Sequence, residues 1–310
     1  MGIENKQIIV DVITSSPVLI IGGMGYIGSA LSVFLQDKGY QIECADLEWP
    51  SGSGSHLGYQ LGYQMDYRDL NESDLQRYFA VIHLAGHSNV KACQMDPDGA
   101  FENNLVGFYY LLKKIQDQKL IYASSSSIYN GSGAFPAHEE WDHFSALNLY
   151  DYTKFSIDHL AQISDKDYYS LRFGTVTGLS PKLREDLMIN CMVKSALEKR
   201  QVDIYCPSIH RPILGIQDLC RAVESILAGQ DRRGIYNLAS FNSTVVEIGT
   251  YIADLMEVPL YIHEGGTAYD FSIRTDKFQK HYSFEFKDCI ETLVSSLVEH
   301  YQPSLFMEVA

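Results

Sequence analysis

A doubly wound α/β fold, a parallel sheet with helices on both faces, is what this 310-residue sequence predicts, and three observations carry the prediction. Short apolar runs alternate with longer helical patterns through about residue 173. The first run leads into a glycine turn, Gly22-Gly23-Met24-Gly25-Tyr26-Ile27-Gly28, which opens the first helix. The spacing leaves room for a helix between successive strands, and right-handed crossovers then place helices on both sides of the sheet.

Each element has its own signal. Val18 to Ile21 is a short apolar run ending in glycine, the mark of a buried parallel strand. A helix from Tyr26 to Lys38 stops at Gly39, a C-cap residue. A second strand, Gln41 to Ala45, ends at Asp46 and leads into a Gly/Ser/Pro-rich loop around Pro50 to Gly62. The alternation continues as strand Ala80 to Leu84, helix Pro97 to Gln116, strand Lys119 to Ala123, helix Tyr150 to Ile163 and strand Tyr168 to Phe173. Ahead of all this, Ile8-Ile9-Val10 reads as a short extra strand or as surface packing.

Beyond about residue 178 the pattern loosens. Helices are expected at Arg184 to Lys199, Gln217 to Gly229, Thr244 to Met256 and Phe286 to Tyr301, with short strands between them. The expected division is a dinucleotide-binding Rossmann-type domain over 1–177 and a smaller α/β substrate-binding lid over 178–310. Some of the later segments return to the sheet. Ligands of open α/β sheets bind at the carboxyl ends of the strands.

Bulk properties narrow the function classes. Hydrophobic residues make up 46% and charged residues 20%; mean hydropathy is -0.11. This is the profile of a globular protein. A formal net charge of -15 argues against nucleic acid or anionic membrane as partner, since both need basic surface. No apolar run approaches the ~18 residues of a spanning helix. The N-terminus lacks the basic, apolar and small-residue blocks of a secretory signal. Six scattered cysteines without a Cys-x-x-Cys pair read as free thiols of a cytoplasmic protein. Ten dispersed histidines give no metal site.

The glycine turn follows a strand and opens a helix, the context in which such a pattern binds a dinucleotide. Its glycines let backbone approach a pyrophosphate, and the helix N-terminus supplies N–H groups and partial positive charge. Asp46 at the next strand end should accept the ribose hydroxyls and repel a 2′-phosphate, which favours NAD over NADP. Asp66 reads either as an adenine-edge contact or as a turn cap. In His83-Leu84-Ala85-Gly86, small residues suit backbone passing the cofactor, and His83 reads as core rather than catalyst. Tyr150 and Lys154, four apart on one helix, share a face. An ammonium beside a phenol favours the phenolate and moves it toward use as a general base.

These residues resemble a known family, the extended short-chain dehydrogenase/reductases acting on nucleotide sugars, typified by UDP-glucose/galactose 4-epimerases. The resemblance rests on the glycine turn, Asp46, His83 to Gly86, Asn104 with Gly107, Ser124 to Asn130, Tyr150 to Lys154, Leu171 to Gly178 and His210 to Leu219, in the family's order. It implies that Tyr150 is the base, that Lys154 binds the nicotinamide ribose, and that Ser125 holds the sugar hydroxyl being oxidised. It implies a cofactor set of Gly22, Gly25, Tyr26, Ile27, Gly28, Asp46, Asp66, Tyr67, Leu84, Ala85, Gly86, Asn104, Ser124, Tyr150 and Lys154, with NAD bound. Ser125, Ser126, Asn190, Arg211 and Arg274 are the implied contacts to a nucleotide-diphosphate sugar, a UDP-sugar being favoured.

By the same resemblance, dehydratases carry Asp-Glu directly after the catalytic hydroxyl residue, and decarboxylases carry Glu at the second place. Here Ser126 and Ser127 stand there, so no carboxylate is expected at that corner and epimerisation at carbon-4 is favoured over elimination. The alternatives are a dehydratase or a dehydrogenase/reductase of the same family, and a non-catalytic NAD-sensing protein. The retained Tyr150/Lys154 pair speaks against the last. The Pro97 to Gln116 helix is apolar nearly all round: Phe101, Leu105, Phe108, Leu112 and Ile115 form one stripe, and Val106, Tyr109, Tyr110 and Leu111 cover much of the rest. Such a helix is buried on more than one side, either against a second copy in a homodimer or beneath the protein's own lid.

Overall fold

The structure, a computed structural model, describes residues 16–47, 61–141, 146–229, 232–266 and 268–302. The segment Ile8 to Val10 and nearly all of the loop after Asp46 lie outside the described residues. The chain divides into two compact units. One comprises Met1–Ile128, Ala146–Arg172 and Cys220–Tyr236; the other comprises Tyr129–Ser145, Phe173–Leu219 and Asn237–Ala310. The chain therefore passes between the units several times.

The first unit is built on β1 (Val18–Ile21), α1 (Tyr26–Asp37), β2 (Ile42–Asp46), β3 (Leu61–Gln64), α2 (Glu72–Leu75) and β4 (Ala80–His83). It continues with α3 (Val90–Met95), α4 (Pro97–Phe101), α5 (Phe108–Lys114), β5 (Lys119–Ser125), α6 (Leu149–Gln162) and β6 (Tyr168–Phe173). A later strand, β10 (Gly234–Leu238), completes a seven-stranded sheet of order β10-β6-β5-β4-β1-β2-β3. The ladders from β3 through β2, β1 and β4 to β5 are parallel, with Val18 opposite both Ile42 and Ala80. The order reverses beside β1, which is the switch point where open α/β sheets bind ligands.

Local chemistry explains the boundaries. Gly39, at φ +89°, ends α1 as its sequence position predicted. The helix expected over Pro97 to Gln116 is instead α4, a π-helical turn Glu102–Gly107, and α5. A π turn inserts an extra residue and re-aims the side chains on it, and such turns gather at functional sites. The apolar stripe splits accordingly. Phe108, Leu112 and Ile115 enter a core with Leu19, Val81, Tyr122 and Ile157, whereas Tyr109 and Tyr110 remain exposed.

The second unit contains β7 (Thr175–Thr177), α7 (Met188–Lys199), β8 (Val202–Tyr205), β9 (His210–Gly215), β11 (Phe241–Thr244), α9 (Val245–Leu255), β12 (Leu260–His263), α10 (Asp276–Tyr282) and α11 (Ile290–Tyr301). Helix α8 (Ile216–Ala228) runs across the division into the first unit. β11, β9 and β7 form one small sheet, β12 and β8 another. Thr244 and Glu247 make a capping box at the start of α9. Ile189 and Val193 of α7, Ile204 of β8, Ile248 and Ile252 of α9, and Leu293 and Leu297 of α11 share a buried core. Within each helix the named pair stands four residues apart, the helical period seen in the sequence.

Candidate active site

The glycine turn is held by the sheet and cannot be substituted cheaply. Gly22 has φ +85°, and a Cβ there would lie 2.6 Å from the Ala85 nitrogen. A Cβ on Gly28 would collide with the Gly22 carbonyl oxygen. The N-cap of α1 is Gly25, which offers no capping side chain, and the first turn contains no acidic residue. The backbone N–H groups that a helix start leaves without internal partners therefore face no competing carboxylate of their own turn. Asp46 folds over this turn and accepts from the Met24 N–H at 2.9 Å. Leu84 and Ala85 are tied to the same corner by N–H bonds to the Ile21 oxygen, at 2.8 and 3.1 Å. The uncapped helix start, the cradle a Cβ would fill and the carboxylate at the second strand end fit a dinucleotide. Tyr26 and Ile27 form the first turn of α1.

Other residues of the expected cofactor set are engaged within the protein. Asp66 caps the 3-10 turn Tyr67–Asp69, accepting from the Arg68 N–H at 2.9 Å and pairing with its guanidinium. That side chain does the work of a turn cap, one of the two readings its sequence position allowed. Tyr67 is buried; its hydroxyl donates to the Asn103 oxygen and its ring lies 4.6 Å from that of His83. Asn104, on the π turn, accepts from the His87 N–H at 2.8 Å and donates to the His87 oxygen at 3.1 Å. It therefore shapes the loop after β4, and Gly86 leaves room for it. His83 is core as expected: burial pulls it down to about 3, so it is neutral.

The reactive corner is assembled from the end of β5, the turn Ser126–Tyr129 and the first turns of α6. Ser124 points its hydroxyl away to Asp158, at 3.0 Å. Ser125 and Ser127 hydroxyls are 2.8 Å apart, and Ser127 donates to Asp151 at 2.6 Å. Ser126 is buried beside them. Lys154 donates to the Ala123 oxygen at 2.7 Å, and its Nζ is 5.9 Å from the centre of the Tyr150 ring. Burial pulls Lys154 down to about 8, while Asp158 and Cys93 act in the opposite direction. The expectation that no carboxylate serves this corner needs correction. Asp151 turns inward on α6, is wholly buried, and reaches the serines through Ser127. No motif marks it; its signal was only its place, one residue after Tyr150.

Of the expected substrate residues, Ser125 and Ser126 belong to the first unit, and Asn190, Arg211 and Arg274 to the second. Arg211, on β9, donates to Thr175 Oγ1 at 2.8 Å and to the Tyr269 oxygen at 3.4 Å, and lies 5.4 Å from the Phe271 ring centre. Its Nε is buried without a partner, and burial lowers the guanidinium from its ordinary range. Asn190 is fully buried, accepting from Thr177 at 2.7 Å and donating to the Arg184 oxygen at 2.9 Å. It braces the second unit rather than facing an open surface. Arg274 is exposed and paired with Asp276. Among the described residues no group of three or more metal-ligating side chains occurs, and no helix is long and apolar enough to cross a membrane.

A parallel sheet with a glycine turn at its switch point, joined to a Ser/Tyr/Lys corner, defines a dinucleotide-dependent enzyme of alcohols and ketones. A profile of the NAD-dependent epimerase/dehydratase family matches residues 18–239, and the chain belongs to that family, with NAD as cofactor. It is 29% identical over 169 residues to a bifunctional UDP-glucose and UDP-xylose 4-epimerase of Pisum sativum, covering 49% of this chain. It is 26% identical over 276 residues to a UDP-glucuronate 4-epimerase of Arabidopsis thaliana, covering 77% of this chain and 59% of the relative. The chain spans about half the length of the pea enzyme, 48%. Among solved structures, MoeE5 with UDP-glucuronic acid and NAD matches at a TM-score of 0.79 and 24% identity, over 93% of this chain and 99% of the other. A UDP-N-acetylglucosamine 4-epimerase of Methanobrevibacter ruminantium M1 matches at 0.81 and 22%, over 94% and 99%. These structural likenesses establish the fold.

The position of Lys154 has a pH consequence. Its charged form is lost as pH rises through about 8, so NAD affinity is expected to weaken across that point. Calorimetric titration of the wild type and Lys154→Met on both sides of it checks this; a limb that persists in the variant would exonerate Lys154. Stability should respond in the opposite sense. Between about 8 and the ordinary 10.5 the unfolded chain binds more protons than the folded one, so this group's contribution rises with pH.

Proposed function

We propose that the protein is a nucleotide-sugar 4-epimerase working through a transient 4-keto sugar. The observation that carries this reading is the Ser125, Tyr150 and Lys154 corner beside the NAD cradle, with serine at both positions where direct acid and base carboxylates would serve elimination. Tyr150 takes the carbon-4 hydroxyl proton and later returns it. Ser125 holds the reacting oxygen, and Lys154 holds the nicotinamide ribose. NAD, when bound, supplies a hydride acceptor that gives the hydride back. Asp151 is wholly buried, so it reaches the sugar only through the serines and does not serve as a direct base at carbon-5.

Arg211 is assigned to the diphosphate, because a guanidinium with a buried, unpartnered Nε is completed by an anion. A charged hydrogen bond contributes ~1.5–3 kcal/mol. Arg211→Ala is therefore expected to raise KM for a UDP-sugar by about 10- to 100-fold with kcat little changed. Steady-state kinetics would refute the assignment by finding KM unmoved.

Pairing into a homodimer is proposed through the face formed by Tyr109, Tyr110, Tyr152, Phe155 and Ile163, an apolar groove on the first unit. Support comes from the exposure of Tyr109, Tyr110, Tyr152 and Ile163. An apolar patch rimmed by polar residues marks an association surface. Tyr152→Glu should convert a dimer to a monomer in sedimentation analysis; an unchanged mass would remove this face from the interface. A reducing, cytoplasmic setting is proposed as well, supported by six free cysteines.

The deciding experiment is proton NMR in heavy water with a panel of UDP-, dTDP- and GDP-sugars and no added cofactor. A new carbon-4 epimer without deuterium at carbon-5 or carbon-6 is the expected result. Keto products carrying solvent deuterium would replace epimerisation with elimination.

A further inference from the structure

The hydrogen bonds around Asp151 have fixed directions. Its backbone N–H can only donate, so Asn148 Oδ1 faces it at 3.0 Å. Asn148 Nδ2 is thereby turned to donate to Asp151 Oδ2 at 2.8 Å. The Ser127 hydroxyl gives its hydrogen to Asp151 Oδ1 at 2.6 Å. With that hydrogen committed, Ser127 Oγ accepts from Ser125, 2.8 Å away. The Ser127 N–H takes one lone pair of Ser125 Oγ at 3.2 Å. Ser125 is left with one accepting position and no hydrogen to offer.

We propose that Asp151 is a positioning residue that, through Ser127, makes Ser125 meet the reacting sugar oxygen as a hydrogen-bond acceptor. The inference rests on the epimerase reading of Ser125 and Tyr150. A sugar hydroxyl has a hydrogen that it can share between Ser125 and Tyr150. A ketone has none, and meets one donor, the reprotonated Tyr150, instead of two. The corner therefore holds the alcohol forms and grips the keto form weakly, which limits its accumulation between the two hydride transfers.

Asp151→Asn reverses this polarity. The cap bond keeps Asn148 Nδ2 facing residue 151, so the new amide turns its oxygen to Asn148 and its NH2 to Ser127. Ser127 then donates to Ser125, and the Ser125 hydrogen is released toward the sugar. With the sugar that the wild type turns over fastest in the panel above, absorbance of the reduced nicotinamide should show a steady-state reduced fraction about fivefold higher. KM should stay within about twofold. Ser127→Ala, which cuts the chain, should raise the fraction too, and Asp151→Asn should add nothing in that background; Ser127→Thr should match the wild type.

If Asp151→Asn does not fold, the Ser127→Ala and Ser127→Thr pair decides by the same readout. An unchanged reduced fraction in the chain-cutting variants, with Ser125→Ala slow, would overturn the role of Asp151 and leave the epimerase reading standing. No turnover of any sugar by the wild type would overturn that reading, and this inference with it.

Discussion

Tyr150→Phe is expected to lower turnover by about 10²- to 10⁴-fold, the range that general acid–base groups supply, while NAD binding is retained. The substitution removes one oxygen and keeps the ring. The bonds from Met24 to Asp46 and from Leu84 and Ala85 to Ile21 do not involve Tyr150. Lys154 keeps its bond to the Ala123 oxygen, 2.7 Å long. The loss should therefore fall on kcat, because a phenol oxygen that moves a proton acts in the transition state and not in holding the ground state. Single-turnover measurements with a sugar from the panel, beside a calorimetric NAD titration, separate the two effects. More than a tenth of wild-type rate would mean that another group takes the proton. A proportionate loss of NAD affinity would mean that Tyr150 builds the cradle instead.

The sequence made the sheet and the cofactor turn readable because both depend on local patterns. Val18 to Ile21, the glycines and the Tyr150/Lys154 spacing are signals within a few residues of one another. The strand order places β1 at the switch point of the doubly wound sheet that strand–helix alternation predicted. What stayed hidden depends on which hydrogen-bond partner each polar side chain takes in the fold. The side chains of Asp66, Asn104 and Asn190 are satisfied by Arg68, His87, Thr177 and the Arg184 oxygen. A residue type that suits a ligand suits a protein hydrogen bond equally well. The π turn was hidden for another reason: its residues have the same apolar periodicity as an ordinary helix, and only the backbone of Glu102–Gly107 reveals it. Asp151 and Asp158 are the two acidic residues of α6, and only burial marks them as acceptors within the protein.

Asp158→Asn is expected to be the most damaging single change to stability, and its cause reaches the active site. Asp158 is wholly buried and accepts from Arg172 Nε at 2.8 Å, Ser170 at 2.5 Å, Ser124 at 3.0 Å and Tyr122 at 3.3 Å. These donors come from β5 and β6, so the carboxylate pins α6 onto two adjacent strands. An amide cannot balance the buried Arg172 charge, and breaking one side of such a pair costs about 3–5 kcal/mol. The melting temperature should fall on the order of 10 °C. Two further effects separate this network from a simple structural pin. Asp158 favours the charged form of Lys154, one helical turn away, so its removal should weaken NAD binding at neutral pH. Replacing both partners by apolar residues, Asp158→Leu with Arg172→Met, should recover much of the stability while leaving NAD binding weak, because burying two fitted apolar groups avoids the stranded charge. Calorimetric unfolding and NAD titration of the single and double variants test this. A melting temperature unchanged in Asp158→Asn would show that the buried pair carries no stability, and normal NAD affinity in the double variant would disconnect it from Lys154.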